Sequence, residues 1–217
     1  MIRIRCAAAL LLLVISTVAT AQLRNINFDL VQAARTGSVE TARALLDQGA
    51  NPDSRNRLGD TPLNTAARNG NADLVELLLA RGADVNLANL ARVTPLMSAV
   101  YGGHCQIARR LLTAKADVAA SDQLKKTAMI YAAGNGNAEC VSVLLGAGID
   151  VNQRYANGGT ALMWAAAYGK NDSVALLIKS GADVSVRDER GESALSIAET
   201  EKHAEAAALL RAAGASK

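Results

Sequence analysis

Apolar, small and hydroxyl side chains recur along this chain at intervals of 33 residues. Three sets of positions carry the period: Thr61, Thr94, Thr127, Thr160 and Ser193; Ala33, Ala66, Ala99, Ala132, Ala165 and Ala198; and Leu45, Leu78, Leu111, Leu144, Leu177 and Leu210. A fixed period in this range is typical of one supersecondary unit stacked repeatedly, with a core that forms only between neighbours. The pattern therefore predicts an array of six similar units.

Each unit is predicted to contain two short helices, as residues 54–86 illustrate. The first helix follows Thr61-Pro62, because a hydroxyl N-cap followed by proline favours a helix start. It ends at Gly70, where a left-handed residue closes the turn. A second helix with a broad apolar stripe begins near Ala72 and ends at Gly82. Helices shorter than about 12–15 residues are marginal alone in water, so each unit must bury its apolar side against the next.

The unit resembles the ankyrin repeat. The segments TPLNTAA (61–67), LVELLL (74–79) and GADVN (82–86) carry the resemblance, and TPLMSAV, TAMIYAA and TALMWAA repeat its first part downstream. The resemblance covers about residues 28–215 and implies an all-α solenoid of stacked helix-turn-helix units with projecting loops. Lys115 stands where other units have the second glycine, so we expect that turn to be strained or altered.

The period divides the chain into a leader and six repeats. The repeats are numbered here 1 to 6, and we expect repeats 1 and 6 to be caps with polar outer faces. The ranges are a signal peptide at 1–21, then repeat 1 at 22–53, repeat 2 at 54–86, repeat 3 at 87–119, repeat 4 at 120–152, repeat 5 at 153–185 and repeat 6 at 186–217.

The first 21 residues read as a secretory signal peptide. Arg3 and Arg5 precede an apolar run at 7–18, and Ala19-Thr20-Ala21 supplies the small-x-small pattern, so we expect cleavage after Ala21. The alternative is an uncleaved anchor, although the run is shorter than the roughly 20 residues that span a bilayer. We expect the mature chain in the periplasm or outside the cell.

Charge and cysteine content narrow the function classes. The full chain has a formal net charge of +3, and loss of the two leader arginines leaves +1. Such a nearly neutral chain argues against nucleic acid or an anionic membrane as partner.

Cys105 and Cys140 remain after cleavage. Because equivalent positions of stacked repeats lie about 10 Å apart, beyond the roughly 7 Å limit for a bridge, we expect buried free cysteines in preference to a disulfide.

No constellation of catalytic or metal-binding residues is apparent. His104 stands where the ankyrin pattern favours histidine, which implies a structural role, and His203 lies in the last repeat. Neither histidine has a second ligand at metal-binding spacing, and no G-x-S-x-G elbow occurs. We expect no catalytic residue, no metal and no cofactor. A thiol-based redox or enzymatic role for Cys105, Cys140 and His104 is the less favoured alternative.

A partner-binding surface is expected on the loop tips and first helices. Ankyrin-like proteins generally bind partners through these regions. Several apolar residues of this chain lie at the loop tips, and most of its aromatic residues lie at the tips or on the first helices. The candidates are Leu58, Leu90, Val93, Tyr101, Leu124, Tyr131, Tyr155, Trp164 and Tyr168. The competing interpretation is that Tyr131 and Trp164 fill the seam between repeats.

The sequence thus predicts a monomeric, non-catalytic protein-binding scaffold of the cell envelope. Its concave groove would hold, inhibit or assist a partner protein. A secreted effector that binds a host protein is the alternative of a different class.

Overall fold

The computed structural model describes residues 26–216, and the predicted signal peptide with its predicted cleavage site lies outside the described residues. Two helices occur in each repeat. They are α1 (26–36) and α2 (Val39–Asp47), α3 (Pro62–Asn69) and α4 (Ala72–Ala80), α5 (Pro95–Tyr101) and α6 (Cys105–Thr113), α7 (Ala128–Asn135) and α8 (Ala138–Gly146), α9 (Ala161–Ala167) and α10 (Asn171–Lys179), and α11 (Ala194–Thr200) and α12 (Ala204–Ala212). The described part contains no strand, only an isolated bridge between Arg187 and Ser193. The all-α solenoid expected from the sequence is confirmed.

The periodic hydroxyl residues cap the first helices, as predicted. Thr61 Oγ1 accepts a hydrogen bond from the Asn64 backbone N–H, and the Asn64 side chain accepts one in return, which completes a capping box. In the other repeats, the hydroxyl of the cap residue also accepts a hydrogen bond from the backbone N–H three residues later. These cap residues are Thr94, Thr127, Thr160 and Ser193. Asn64 also donates to the Val93 carbonyl at 3.1 Å, and so ties repeat 2 to repeat 3.

A continuous apolar core runs between the repeats. The periodic leucines of the second helices, Leu78, Leu111, Leu144, Leu177 and Leu210, are all fully buried. In repeat 1, Thr41 and Ala44 replace buried leucines and are exposed, as a capping repeat requires. Lys115 adopts the predicted left-handed conformation, with φ +72°. The core is therefore built by stacking, and it leaves the loop tips and the C-terminal ends of the first helices uncovered.

The expectation that Cys105 and Cys140 stay free is wrong, because they form a disulfide. Their sulfurs lie 2.13 Å apart and their Cα atoms 4.9 Å apart. The equivalent of Cys105 in repeat 4 is Ala138, and Cys140 lies two residues further along α8. Two residues correspond to about 200° around a helix, which turns Cys140 inward, where it is fully buried. The spacing of about 10 Å between equivalent positions of stacked repeats therefore does not describe the distance between these two cysteines.

Candidate functional site

Large apolar side chains are exposed on one side of the solenoid. Leu58, Leu90 and Leu124 at the loop tips and Tyr101 and Tyr168 at the ends of first helices are 50–73% exposed. Phe28, on α1, is the sixth such residue among those the structure describes, and no second helix carries one. Exposed apolar residues that cluster on one side indicate an interaction surface.

The loop tips of repeats 2, 3, 4 and 6 are each shaped by one side chain that accepts backbone hydrogen bonds. Asn56 Oδ1 accepts from the N–H groups of Leu58 and Asp60, and Asp122 Oδ1 accepts from those of Leu124 and Lys126. Asp188 Oδ1 in repeat 6 likewise accepts from the N–H groups of Arg190 and Glu192, and Asn89 Oδ1 in repeat 3 accepts from that of Val93. The four residues share one repeat position, so the turn geometry recurs from tip to tip.

Neighbouring tips are joined by hydrogen bonds. The Leu90 N–H donates to the Leu58 carbonyl at 3.1 Å, and the Gln123 N–H donates to the Ala91 carbonyl at 3.0 Å. The Arg55 guanidinium adds a bond to the Ala88 carbonyl at 2.9 Å. The tips of repeats 2, 3 and 4 are therefore held together as one rigid row.

Two residues predicted to bind a partner, Tyr155 and Val93, are half-buried and contribute to the structure of their loops. Tyr155 occupies in repeat 5 the position of Asn56 and Asp122, is half-buried against the core, and introduces a 3₁₀ turn at Ala156–Gly158. Val93 is also half-buried, and its N–H donates to Asn89 Oδ1 at 2.9 Å. The tip of repeat 5 therefore differs in shape from the tips of repeats 2 to 4.

Burial raises the pKa of Tyr155 to about 12, an effect that its hydrogen bond with Thr127 partly offsets and the Asp150 carboxylate reinforces. An unfolded tyrosine ionises near pH 10, whereas folded Tyr155 keeps its proton until about pH 12. The folded state therefore loses stability as pH rises through this window. We expect Tyr155→Phe to flatten the fall in the free energy of unfolding between pH 10 and 12, measured by urea denaturation. A variant whose alkaline fall equals that of wild type would contradict this assignment.

Four aromatic side chains form a cluster that we call the aromatic groove: Tyr101, Tyr131, Trp164 and Tyr168. The Tyr101 and Tyr131 rings meet edge to face with centroids 5.8 Å apart, and Trp164 stacks on Tyr168 at 6.2 Å. Lys126 joins the two pairs, since its ammonium lies 5.9 Å from the Tyr131 ring and 5.5 Å from the Trp164 ring. These five residues line a cavity of about 310 Å³.

The positions of Tyr131 and Trp164 combine the two roles considered for them, which are filling the seam between repeats and lining a binding surface. Both rings are half-buried and pack against the core, so they help to fill the seam between repeats. Tyr131 also donates its hydroxyl hydrogen bond to Asp122 Oδ2 at 2.6 Å. Burial and then this carboxylate raise the pKa of Tyr131 well above its usual value, so the hydroxyl stays protonated. Their remaining surface faces the groove beside the exposed rings of Tyr101 and Tyr168.

A second cavity, of about 430 Å³, lies between repeats 5 and 6. Met163, Trp164 and Ile197 form its apolar part, and Arg190 and Glu192 belong to its polar part. Trp164 lines both cavities, so the indole forms a wall between them.

The position of Lys126 between the Tyr131 and Trp164 rings had no signal in the sequence, because a lysine before a helix cap is usually a solvated residue.

The two histidines fasten adjacent repeats. His104 Nε2 donates to the Arg68 carbonyl and His203 Nε2 to the Ala167 carbonyl, both at 3.1 Å and both in the preceding repeat. The structural role expected of His104 is thus observed. The role of His203 was missed, although its spacing of three repeats from His104 could have indicated it.

The residues of the redox alternative are engaged in structural contacts. Cys105 and Cys140 are joined to each other, and His104 is bound to a backbone carbonyl. Within residues 26–216, no group of three or more His, Cys, Asp or Glu side chains could hold a metal ion. Over the same residues, none of the helices combines the length and apolar character needed to span a bilayer.

Comparison with protein families agrees with the fold. The family model for ankyrin repeats (3 copies) matches residues 30–122, 88–155 and 129–217. The chain belongs to the ankyrin-repeat family. Ankyrin repeats are generally protein–protein interaction modules, and proteins built from them are typically non-enzymatic scaffolds. A search of curated proteins found no match.

Proposed function

We propose that this protein is a non-catalytic scaffold of the cell envelope that binds a partner protein through the aromatic groove and the adjoining loop tips. Binding there would hold, inhibit or assist the partner. The observation that carries the proposal is the one-sided exposure of Leu58, Leu90, Leu124, Tyr101 and Tyr168. Tyrosine and tryptophan are the residues most enriched in binding hot spots.

The rigidity of this surface supports protein binding. The hydrogen-bonded tips of repeats 2 to 4 and the paired rings of the groove are ordered by contacts within the chain itself. A surface that is already ordered loses little conformational entropy on association, so more of the contact energy appears as affinity.

An oxidising compartment is supported by two independent features. The leader sequence predicts export, and the Cys105–Cys140 disulfide suits the periplasm or the exterior, where such bonds persist. Both features fit a secreted effector equally well. Cell fractionation separates these candidates, because a periplasmic scaffold stays with the cells and an effector appears in the medium.

Removal of the exposed rings should abolish partner capture. We expect the double variant Tyr101→Ala, Tyr168→Ala of the mature chain to retain at least tenfold less of its partner from envelope extract than wild type does. Both side chains are at least half exposed, so their loss should leave the helical circular dichroism and the melting temperature nearly unchanged. The pair Trp164 and Tyr168 is less suited to this test, because Trp164 also packs against the core.

The matched control is Phe28→Ala, which removes an exposed aromatic ring from α1, in repeat 1. It should capture the partner as wild type does. Equal capture by the tyrosine double variant would show that the groove is not the binding site. Thiol titration of the folded protein tests the redox alternative, which requires a reactive thiol at Cys105 or Cys140.

A further inference from the structure

The loop tips of repeats 2, 3 and 4 each combine one exposed leucine with one exposed cation. We call these six residues the tip patch: Arg57 with Leu58, Leu90 with Arg92, and Leu124 with Lys125. None of the three cations forms an ion pair with any residue that the structure describes. The pattern ends at repeat 5, whose tip carries Ala156 and Asn157.

Two of these cations stand where the backbone favours glycine. Arg92 and Lys125 have φ values of +63° and +61°, and the equivalent residues of repeats 2, 5 and 6 are Gly59, Gly158 and Gly191. A side chain in this left-handed region costs free energy, and such residues are found at functional sites more often than elsewhere.

The usual structural explanation for such a cation does not apply here. Lys115 and Lys202 also have positive φ, but each follows the C-terminus of a helix, where the helix dipole favours positive charge. Arg92 and Lys125 instead precede the N-termini of α5 and α7, where the dipole opposes it. Their charge is therefore not accounted for by the fold.

The carboxylates of the same loops do not offset these charges at the surface. Asp60 is 4% exposed and contacts Asn89 and Arg68, and Asp122 is 3% exposed and accepts from Tyr131. At the tip of repeat 6 the arrangement is reversed, because Glu189 is exposed and Arg190 pairs with Asp188 and Glu192. Among the loop tips, exposed cations without an ion pair therefore occur in repeats 2 to 4.

We infer that the tip patch binds an extended acidic segment of the partner protein, with a carboxylate at about every third residue and apolar residues between. The spacing follows from geometry, because stacked units repeat at about 10 Å and an extended chain rises about 3.3 Å per residue. Six or seven residues would then reach from Arg57 to Lys125. The inference rests on the proposed function and adds the chemistry of the partner.

A peptide suits this surface better than the other anionic polymers or a membrane. Bases bind by stacking on aromatic ring faces, and none of the six residues of the tip patch is aromatic. A flat anionic bilayer that touched the whole row of tips would also meet Glu189. A short segment that ends at repeat 4 avoids it.

The test is a selection of random twelve-residue peptides displayed on phage against the oxidised mature protein. We expect the selected peptides to be enriched in Asp and Glu spaced three apart, with Leu, Ile or Phe between. The variant Arg57→Gln, Arg92→Gly, Lys125→Gly should bind the best of these peptides at least tenfold more weakly, measured by fluorescence anisotropy in 150 mM salt. Glycine fits the backbone at 92 and 125, so this variant should melt at or above the wild-type temperature.

The matched control removes the same charge from the opposite side. Arg43, Arg109 and Lys179 are exposed on second helices, and their replacement by glutamine should change peptide affinity less than twofold. A selection without acidic enrichment, a selection that yields no binder, or equal affinity for the tip variant would each overturn the inference. Tighter tip-dependent binding of phosphatidylglycerol vesicles or of a thymidine 20-mer than of the best peptide would also overturn it.

The outcomes separate the inference from the proposed function. If the tip variant still captures the envelope partner and the Tyr101, Tyr168 variant does not, the scaffold function stands and the acidic segment is wrong. If the acidic peptides bind through the tip patch and the tyrosine variant still captures its partner, the tip chemistry stands and the aromatic groove is wrong.

Discussion

Replacement of both Cys105 and Cys140 by alanine is expected to lower the free energy of unfolding by about 3–4 kcal/mol. The disulfide closes a loop with a sequence separation of 35. A cross-link of this span removes a large part of the conformational entropy of the unfolded chain, and this is the main source of the estimate. The loop joins repeats 3 and 4, which carry half of the aromatic groove and two of the three leucine–cation tips.

Urea denaturation of the oxidised wild type, the reduced wild type and the double alanine variant measures this effect. The reduced wild type retains both side chains, so its difference from the oxidised protein isolates the cross-link from the loss of buried side-chain volume. We expect the reduced protein to lie within about 1 kcal/mol of the alanine variant. Equal stability of the oxidised and reduced proteins would contradict the disulfide as a major stabilising element.

Replacement of Gly70 by alanine is expected to lower the free energy of unfolding by about 2–3 kcal/mol. Gly70 has φ +78°, and an added Cβ would lie 2.5 Å from His104 Cε1. The methyl group would therefore strain the backbone and displace the ring that donates to the Arg68 carbonyl. The substitution would therefore weaken the His104–Arg68 hydrogen bond that joins repeats 2 and 3.

Gly82→Ala is the matched control for backbone strain alone. Gly82 has φ +81°, yet no atom lies within 4 Å of its added Cβ, so we expect a loss of only about 1 kcal/mol. In a double-mutant cycle, Gly70→Ala and His104→Ala together should destabilise less than the sum of the single variants by about 1 kcal/mol. Additive losses would show that the ring and the glycine are not coupled.

The repeat architecture could be read from the sequence because the relevant interactions are local or recur in register. Thr61, Pro62 and Gly70 determine where a short helix begins and ends within ten residues. The periodic leucines show which face of each second helix is buried, because the same contact recurs between every pair of neighbours. The five exposed residues of the candidate surface were predicted for the same reason, since they occupy repeat positions that no neighbour covers.

Features that depend on contacts between non-equivalent positions could not be read in this way. Tyr155 was expected at the surface, but it replaces the side chain that organises the other loops and lies half-buried. Lys126 lies between the rings of Tyr131 and Trp164 because two adjacent repeats present those rings at suitable heights.

By itself, the sequence determined the family, the two-helix repeat unit and the caps of the helices, because each of these follows from local propensity repeated at a constant interval. Only the tertiary structure decided that Cys105 and Cys140 pair, that Lys126 lies between two aromatic rings, and that Arg92 and Lys125 stand in a left-handed backbone. These features depend on the rotation of α8 against α6 and on the path of individual loops. Shifts of one or two residues change them, whereas the 33-residue period averages such shifts away.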